Sequence, residues 1–194
     1  IHNLRERFDK YYLHNKYGVE TDAIDLITGL YTVKEGSNIH FLETYDFIKD
    51  NPMETDANYN FIKQRIDIEN FIDYQIVNIY SNNTDWPGNN IDFWRTNKPD
   101  TSENAKYGHD GRWRWMLYDL DFGFGLWEPN RAYLHKNIEL ASAIDGEEWP
   151  NPPWSTFLFR SLLQNPTFRQ DFIDRFEFHL LHTFHPNRVV PIID

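Results

Sequence analysis

The strongest constraint on the fold is one amphipathic segment in the middle of the chain, QRIDIENFIDYQIVNIYSNN. Its apolar residues recur every three or four positions, as they do along the buried face of an α-helix: Ile66, Ile68, Phe71, Ile72, Ile76, Ile79 and Tyr80. Polar residues follow directly, from Ser81 to Thr84. The pattern predicts a long helix over residues 66–80, with one face packed against the rest of the fold.

Two runs of strand-forming residues follow this helix. IDFWR and RWRWMLYDL are joined by a polar loop, and this arrangement predicts a hairpin in which residues 90–95 pair antiparallel with 113–119. A shorter strand or hairpin is predicted over Ile24–Val33, and helical patterns occupy residues 2–17, 40–51, 154–164 and 167–183. We expect one α+β domain over residues 1–194, mostly helical, with a central β-hairpin.

The composition of the chain argues against several classes of partner and site. The net charge of −11 argues against nucleic acid, because phosphate binding needs a basic surface. There is no cysteine, which excludes disulfides and thiolate metal sites, and no apolar run is long enough for a membrane span. Aromatic residues make up 17% of the chain, and we interpret them mainly as core residues rather than as a stacking surface for sugars.

Two acidic motifs surround the predicted hairpin. Asp85 and Asn90 form a D-x-x-x-x-N sequence after the helix, and Asp121-Phe122-Gly123 follows the second strand. Protein kinases place a catalytic Asp, a metal-binding Asn and a metal-binding DFG motif in this same order. Asp119 lies two residues before Asp121, so a continuous strand would point both carboxylates to one side. Such a pair of like charges favours a bound cation, and Mg²⁺ prefers oxygen ligands.

These motifs resemble those of the CotH kinase family, which is named for a spore-coat protein and has an atypical protein-kinase-like fold. The resemblance runs from about Arg5 to the C-terminal helices and is most specific in TDWPGNN and in the D-x-D-x-G-x-G run. It implies transfer of phosphate from ATP to protein Ser or Thr residues with Mg²⁺ or Mn²⁺, and a secreted or cell-surface location. It assigns Asp85 as the acidic residue of the catalytic loop, Asn90 and Asp121 as metal and nucleotide ligands, and Asp119 as a second metal ligand or a holder of the site.

The chain also departs from ordinary kinases. Asn83 and Thr84 stand where those enzymes have His-Arg, and neither a glycine-rich phosphate loop nor a V-A-I-K lysine occurs. Lys34 and Glu35 in VKEG are interpreted as structural. We therefore expect the chain to supply mainly the large lobe, with the small lobe before Ile1, and to be inactive alone.

Three other interpretations remain open. The D-x-D of Asp119 and Asp121 is also used by glycosyltransferases to bind a metal and a nucleotide sugar, although the βαβ pattern of those enzymes is missing. A kinase-like relic could serve as a surface adhesion or glycan-binding module. His179, His182 and His185 have a spacing that zinc could use, but histidines near a helix C-terminus also interact favourably with its dipole.

Overall fold

The computed structural model describes residues 6–126, 134–146 and 149–193. This part of the chain forms eight α-helices and one four-stranded sheet, which makes the fold α+β. In chain order the elements are α1 Lys10–Tyr17, β1 Ile24–Thr28, β2 Thr32–Glu35, α2 Ile39–Asp50, α3 Asp56–Lys63, α4 Ile68–Tyr80, β3 Asp92–Thr96, β4 Arg114–Met116, α5 Asn137–Ser142, α6 Pro153–Leu162, α7 Pro166–Phe178 and α8 Pro186–Ile193.

The predicted central hairpin is confirmed, but it belongs to a larger sheet. The strand order is β2-β1-β3-β4, and every neighbouring pair is antiparallel. In the hairpin, Asp92 lies opposite Met116 and Phe93 lies opposite Trp115. The strand predicted to reach residue 119 ends at Met116, so the expected alternation does not extend to Asp119.

The long helix is confirmed, with its start moved to Ile68. The Asp67 side chain accepts a hydrogen bond from the backbone N–H of Asn70, which satisfies a donor that the first turn leaves free. Just before it, Ile66 forms an isolated bridge with Trp113. Ile66 is therefore held against Trp113, the residue just before β4, and does not join the helix.

A buried arginine fastens the start of α4 to β4. The side chain of Arg114 is 1% exposed and lies 2.9 Å from Asp67 and 2.7 Å from Asp110. Burial raises the pKa of Asp110, but hydrogen bonds from Arg114 and Arg112 outweigh that effect and hold the pKa well below its ordinary value. Buried charges need such pairing, because either partner alone would be strongly destabilising.

The aromatic residues form the core, as expected for most of them. The rings of Phe93 and Trp115 are stacked with centroids 5.1 Å apart, and Phe71 meets Trp115 at 4.6 Å. Phe41 of α2 packs on the other side of Phe93, at 4.4 Å. The buried face of α4 is thus joined to the hairpin by rings that also contact α2.

The other predicted helices and the first predicted hairpin are present, with different boundaries. Ile24–Val33 does contain a hairpin, and the first helix begins at Lys10, where Asp9 caps it. Residues 2–5 of that predicted helix lie outside the described residues. The helix predicted over 167–183 ends at Phe178 and continues as one π-helical turn, whereas α3, α5 and α8 were not predicted. None of the helices in the described ranges is long and apolar enough to cross a membrane.

One histidine should make the stability of the fold depend on pH. The indole N–H of Trp113 donates to Nδ1 of His40 at 2.9 Å, and burial together with the positive charges of Arg95 and Arg65 lowers the pKa of His40 to about 4. Between about pH 6.5 and 4 the unfolded chain binds a proton that the folded chain refuses, so acid should destabilise the fold.

We predict that His40→Gln, which keeps an acceptor for Trp113, reduces the loss of unfolding free energy between pH 7 and 5. The reduction should be about 1 kcal/mol or less, because His40 is partly exposed and screened by solvent. Urea denaturation at both pH values measures it. The exposed His182→Gln serves as the control, and an equal pH dependence in both variants would contradict this role of His40.

Candidate functional site

The loop between α4 and β3 is built from buried polar residues. Asn83 donates from its side-chain amide to Oδ1 of Asn78 at 3.0 Å, and its own Oδ1 accepts from the backbone N–H of Asp85 at 3.2 Å. Asn83 therefore connects the last turns of the helix to the residue predicted to be catalytic. Asn83 stands where ordinary kinases carry a histidine, and these two hydrogen bonds are its structural role here.

Asp85 and Asn90 are brought together directly. The Asp85 side chain accepts, on Oδ2, one hydrogen bond from the side-chain amide of Asn89 and one from that of Asn90, each 2.8 Å long. Asp85 is buried, with 6% of its surface exposed. Charge-assisted hydrogen bonds of this kind are stronger than neutral ones and fix the orientation of a carboxylate. The predicted D-x-x-x-x-N motif thus forms one hydrogen-bonded unit.

The turn that carries Asp121 packs against this loop. The backbone N–H and the hydroxyl of Thr84 both donate to the carbonyl oxygen of Phe122, at 3.3 and 3.2 Å. The backbone N–H of Phe124 donates to the carbonyl oxygen of Ser81 at 2.5 Å. Thr84 replaces the arginine of ordinary kinases, and here it joins the two acidic motifs.

Asp119 and Asp121 occupy different settings within that turn. Asp119 has a left-handed backbone conformation, with φ of 56°, and lines a cavity of about 700 Å³. Asp121 is exposed at the start of the turn. The continuous strand on which the expectation of a shared direction relied is not present, since β4 ends at Met116, three residues before Asp119.

Backbone strain is concentrated around these motifs. In the described part of the chain, four non-glycine residues have positive φ, and all four lie in the loop after α4 or the turn after β4: Asn82, Asn90, Asp119 and Phe124. Both side-chain polar atoms of Asn82 are buried without a partner among the described residues. Such costs persist where the surrounding structure enforces them, and they are common at functional sites.

The donor chemistry of the four predicted residues fits a hard divalent cation. Asp85, Asp119 and Asp121 offer carboxylate oxygens, and Asn90 offers an amide oxygen, because its amide nitrogen is the atom bonded to Asp85. Within the described ranges, no three His, Asp or Glu side chains are already grouped as a metal site. The four side chains are therefore of the right chemical type for such a cation, but in the described ranges they are not grouped as a cluster of three acidic ligands.

Of the three histidines near the C-terminus, His179 has another explanation. One ring nitrogen of His179, Nε2, lies 2.9 Å from a carboxylate oxygen of Asp73, and the other, Nδ1, lies 2.8 Å from the hydroxyl of Thr183. Arg175 contacts the same carboxylate. His179 thus belongs to an ion-pair cluster that holds α7 on α4.

Comparison with known proteins identifies the family of the chain. A family model described as CotH kinase protein matches residues 1–194, which is the whole chain. No curated protein and no solved structure matches the chain.

Gly123 lets the turn approach the loop closely. A Cβ at this position would lie 2.9 Å from the carbonyl oxygen of Leu120 and 3.0 Å from that of Ser81. We predict that Gly123→Ala pushes the turn away from the loop and weakens the bonds of Thr84 to Phe122. Hydrogen exchange at the backbone amides of Thr84 and Phe124 should then accelerate several-fold, while amides of β1 stay protected. Unchanged exchange at both amides would contradict this coupling.

Proposed function

The chain belongs to the CotH kinase protein family, and we propose that it is an atypical protein kinase. In this proposal it transfers the γ-phosphoryl group of ATP to Ser or Thr hydroxyls of a protein with a divalent metal. The observation that carries the proposal is the pair of hydrogen bonds from Thr84 to Phe122. They hold the loop between α4 and β3, which carries Asp85 and Asn90 (the Asp85 loop), against the turn after β4, which carries Asp119 and Asp121. Both kinase-like motifs therefore contribute to one region.

Asp85 is proposed as the residue that orients the substrate hydroxyl and accepts its proton. Its two hydrogen bonds from Asn89 and Asn90 are both made on Oδ2. This arrangement restrains the carboxylate at Oδ2 and leaves Oδ1 for the incoming hydroxyl. A general base works only within hydrogen-bond reach of the proton that it accepts, so a fixed orientation supports this role.

Asn90, Asp119 and Asp121 are proposed to hold Mg²⁺ or Mn²⁺, and Asn90 and Asp121 to contact the nucleotide through it. When bound, the divalent cation neutralises charge on the phosphates during transfer. The amide of Asn90 supports this assignment, because its nitrogen is engaged by Asp85 and its oxygen is the atom that a cation would meet.

We propose further that residues 1–194 form one domain that corresponds to the large lobe of a kinase-like fold. The order of a long helix, the Asp85 loop, an antiparallel hairpin and the Asp-Phe-Gly turn supports this assignment. A secreted or cell-surface location and a protein substrate are proposed from family membership.

The alternatives receive less support. A glycan-binding module would use exposed aromatic rings; Trp149 is exposed, but four of the tryptophans are buried in the core: Trp86, Trp94, Trp113 and Trp115. A glycosyltransferase would place its D-x-D after parallel βαβ units, whereas the strands of the described sheet pair antiparallel.

Two isosteric variants of the full-length protein separate the proposed roles. Asp121→Asn removes a charge that the metal needs, so both Mg-ATP affinity and transfer should fall, the rate by about 100-fold or more. Asp85→Asn should leave ATP binding nearly unchanged and slow transfer by about 100-fold or more, because Asp85 acts on the hydroxyl. Calorimetric titration with Mg-ATP and radiolabelled phosphate transfer measure the two effects.

Asp46→Asn is the matched control, since Asp46 is exposed on α2. It should bind and transfer like the unaltered protein. Undiminished transfer in Asp121→Asn would rule out the kinase mechanism and favour a binding module.

A further inference from the structure

Residues 149–152, which lie between α5 and α6, form a strap that packs directly on the Asp85 loop. The backbone N–H of Gly88 donates to the carbonyl oxygen of Pro150 at 2.6 Å. A Cβ at Gly88 would overlap that oxygen and the ring of Pro152, so the close approach requires a glycine. Gly88 lies three residues after Asp85, inside the D-x-x-x-x-N motif. The strap therefore contacts the part of the loop that is proposed to carry out catalysis.

The strap is also fixed to the two helices on either side of it. Asn151 is 1% exposed, and its side-chain amide donates to the carbonyl oxygen of Leu140 in α5 at 2.9 Å. The hydroxyl of Thr156 in α6 donates to the carbonyl oxygen of Ala143, just after α5, at 2.5 Å. Hydrogen bonds to the loop and within its own flanks thus set the position of the strap beside Asp85.

Trp149 begins this strap and presents its ring to solvent. It is 58% exposed, whereas Trp86, the tryptophan of the Asp85 loop itself, is 1% exposed. Removing an indole ring from water is favourable. A ring that stays outside the core on a backbone held in place is therefore available to pack against another molecule.

Other exposed apolar side chains lie around the same end of α4. The segments that carry them are bonded to this end: the backbone N–H of Phe124 donates to the carbonyl oxygen of Ser81, and the side-chain amide of Asn137 donates to that of Ile79 at 3.2 Å. Single apolar residues are ordinary on a protein surface, but several beside one polar loop indicate a binding surface. The exposed side chains of these two segments are Phe124, Leu126 and Ile138.

The position of this surface limits what can cover it. A hydroxyl that reaches Asp85 arrives on a polypeptide, and the side chains next to that hydroxyl must then meet the residues around the Asp85 loop. The charged pair on α5, Lys136 with Glu139 at 2.9 Å, is satisfied within the helix. The groups that remain for a neighbouring substrate side chain are mainly apolar.

We propose that Trp149 is a specificity-determining residue, which packs against a large apolar side chain next to the accepting Ser or Thr of the protein substrate. This inference rests on the proposed kinase function and deepens it by naming a feature of the substrate. Tryptophan is among the residues that contribute most binding energy at protein interfaces. Because the contact is the same before and during phosphoryl transfer, Trp149 acts on KM more than on kcat.

Synthetic peptides test the assignment in the full-length protein. Each peptide carries one Ser in an alanine background, with Leu, Lys or Ala directly before or directly after it. The unaltered protein should phosphorylate a Leu peptide with a kcat/KM about tenfold or more above that of the all-alanine peptide. Trp149→Ala should remove this preference by raising the KM of the Leu peptide about tenfold, with a smaller change in kcat.

Two further variants and one binding measurement separate this role from a structural one. Trp149→Phe should retain most of the preference, because it keeps an aromatic ring. Tyr107→Ala is the matched control, since Tyr107 is 53% exposed and lies over Arg114 at the opposite end of β4. It should keep the full preference. The affinity for Mg-ATP, measured by calorimetry, should be equal in all three variants.

The outcomes distinguish the inference from the function on which it rests. An unchanged Leu preference in Trp149→Ala would overturn the role of Trp149, and so would a parallel loss of Mg-ATP affinity, which would indicate a structural role. If the unaltered protein transfers phosphate to casein but favours the Lys peptides, or favours none, the inference is overturned while the kinase function stands. If it neither binds ATP nor transfers phosphate, both proposals fail.

Discussion

The rest of the structure depends on the antiparallel register of β3 and β4. Phe93 stacks on Trp115 across this pair, and both rings fill the core between α4 and α2. A slip of one residue would turn these rings out of the core, so the register is strongly specified. It follows that the loop leading into β3 and the turn leaving β4 meet at the same end of the sheet. That meeting is where Thr84 bonds to Phe122.

Buried charges hold the other end of β4. Arg114 forms ion pairs with Asp67 and Asp110, which tie the start of α4 to the hairpin. Within the described part of the chain, buried side-chain atoms without a hydrogen-bond partner occur at both ends of this region, at Nε of Arg114 and at both polar atoms of Asn82. Polar groups that are buried without partners cost free energy, and ligand sites are one reason for keeping them.

The sequence predicted what depends on local pattern. The period of α4 and the strands of the hairpin follow from neighbouring residues, and the structure contains both. The pairing of β1 with β3 could not be predicted, because it joins segments separated by a long, mostly helical stretch. Together with the pairing of β1 with β2, it brings Lys34 to Asp92. The end of β4 at Met116 was also missed, so the alternation expected along the strand does not reach Asp119, whose backbone is left-handed.

The central claim is that the Asp85 loop and the Asp119–Asp121 turn form one site for a divalent cation and ATP. Paramagnetic broadening by Mn²⁺-ATP in nuclear magnetic resonance spectra of the full-length protein tests it most directly. The account predicts that the backbone amide signals of Asp85, Asn90, Asp119 and Asp121 broaden together at the same low Mn²⁺-ATP concentration. Broadening of only one of the two segments, or of neither, would contradict it.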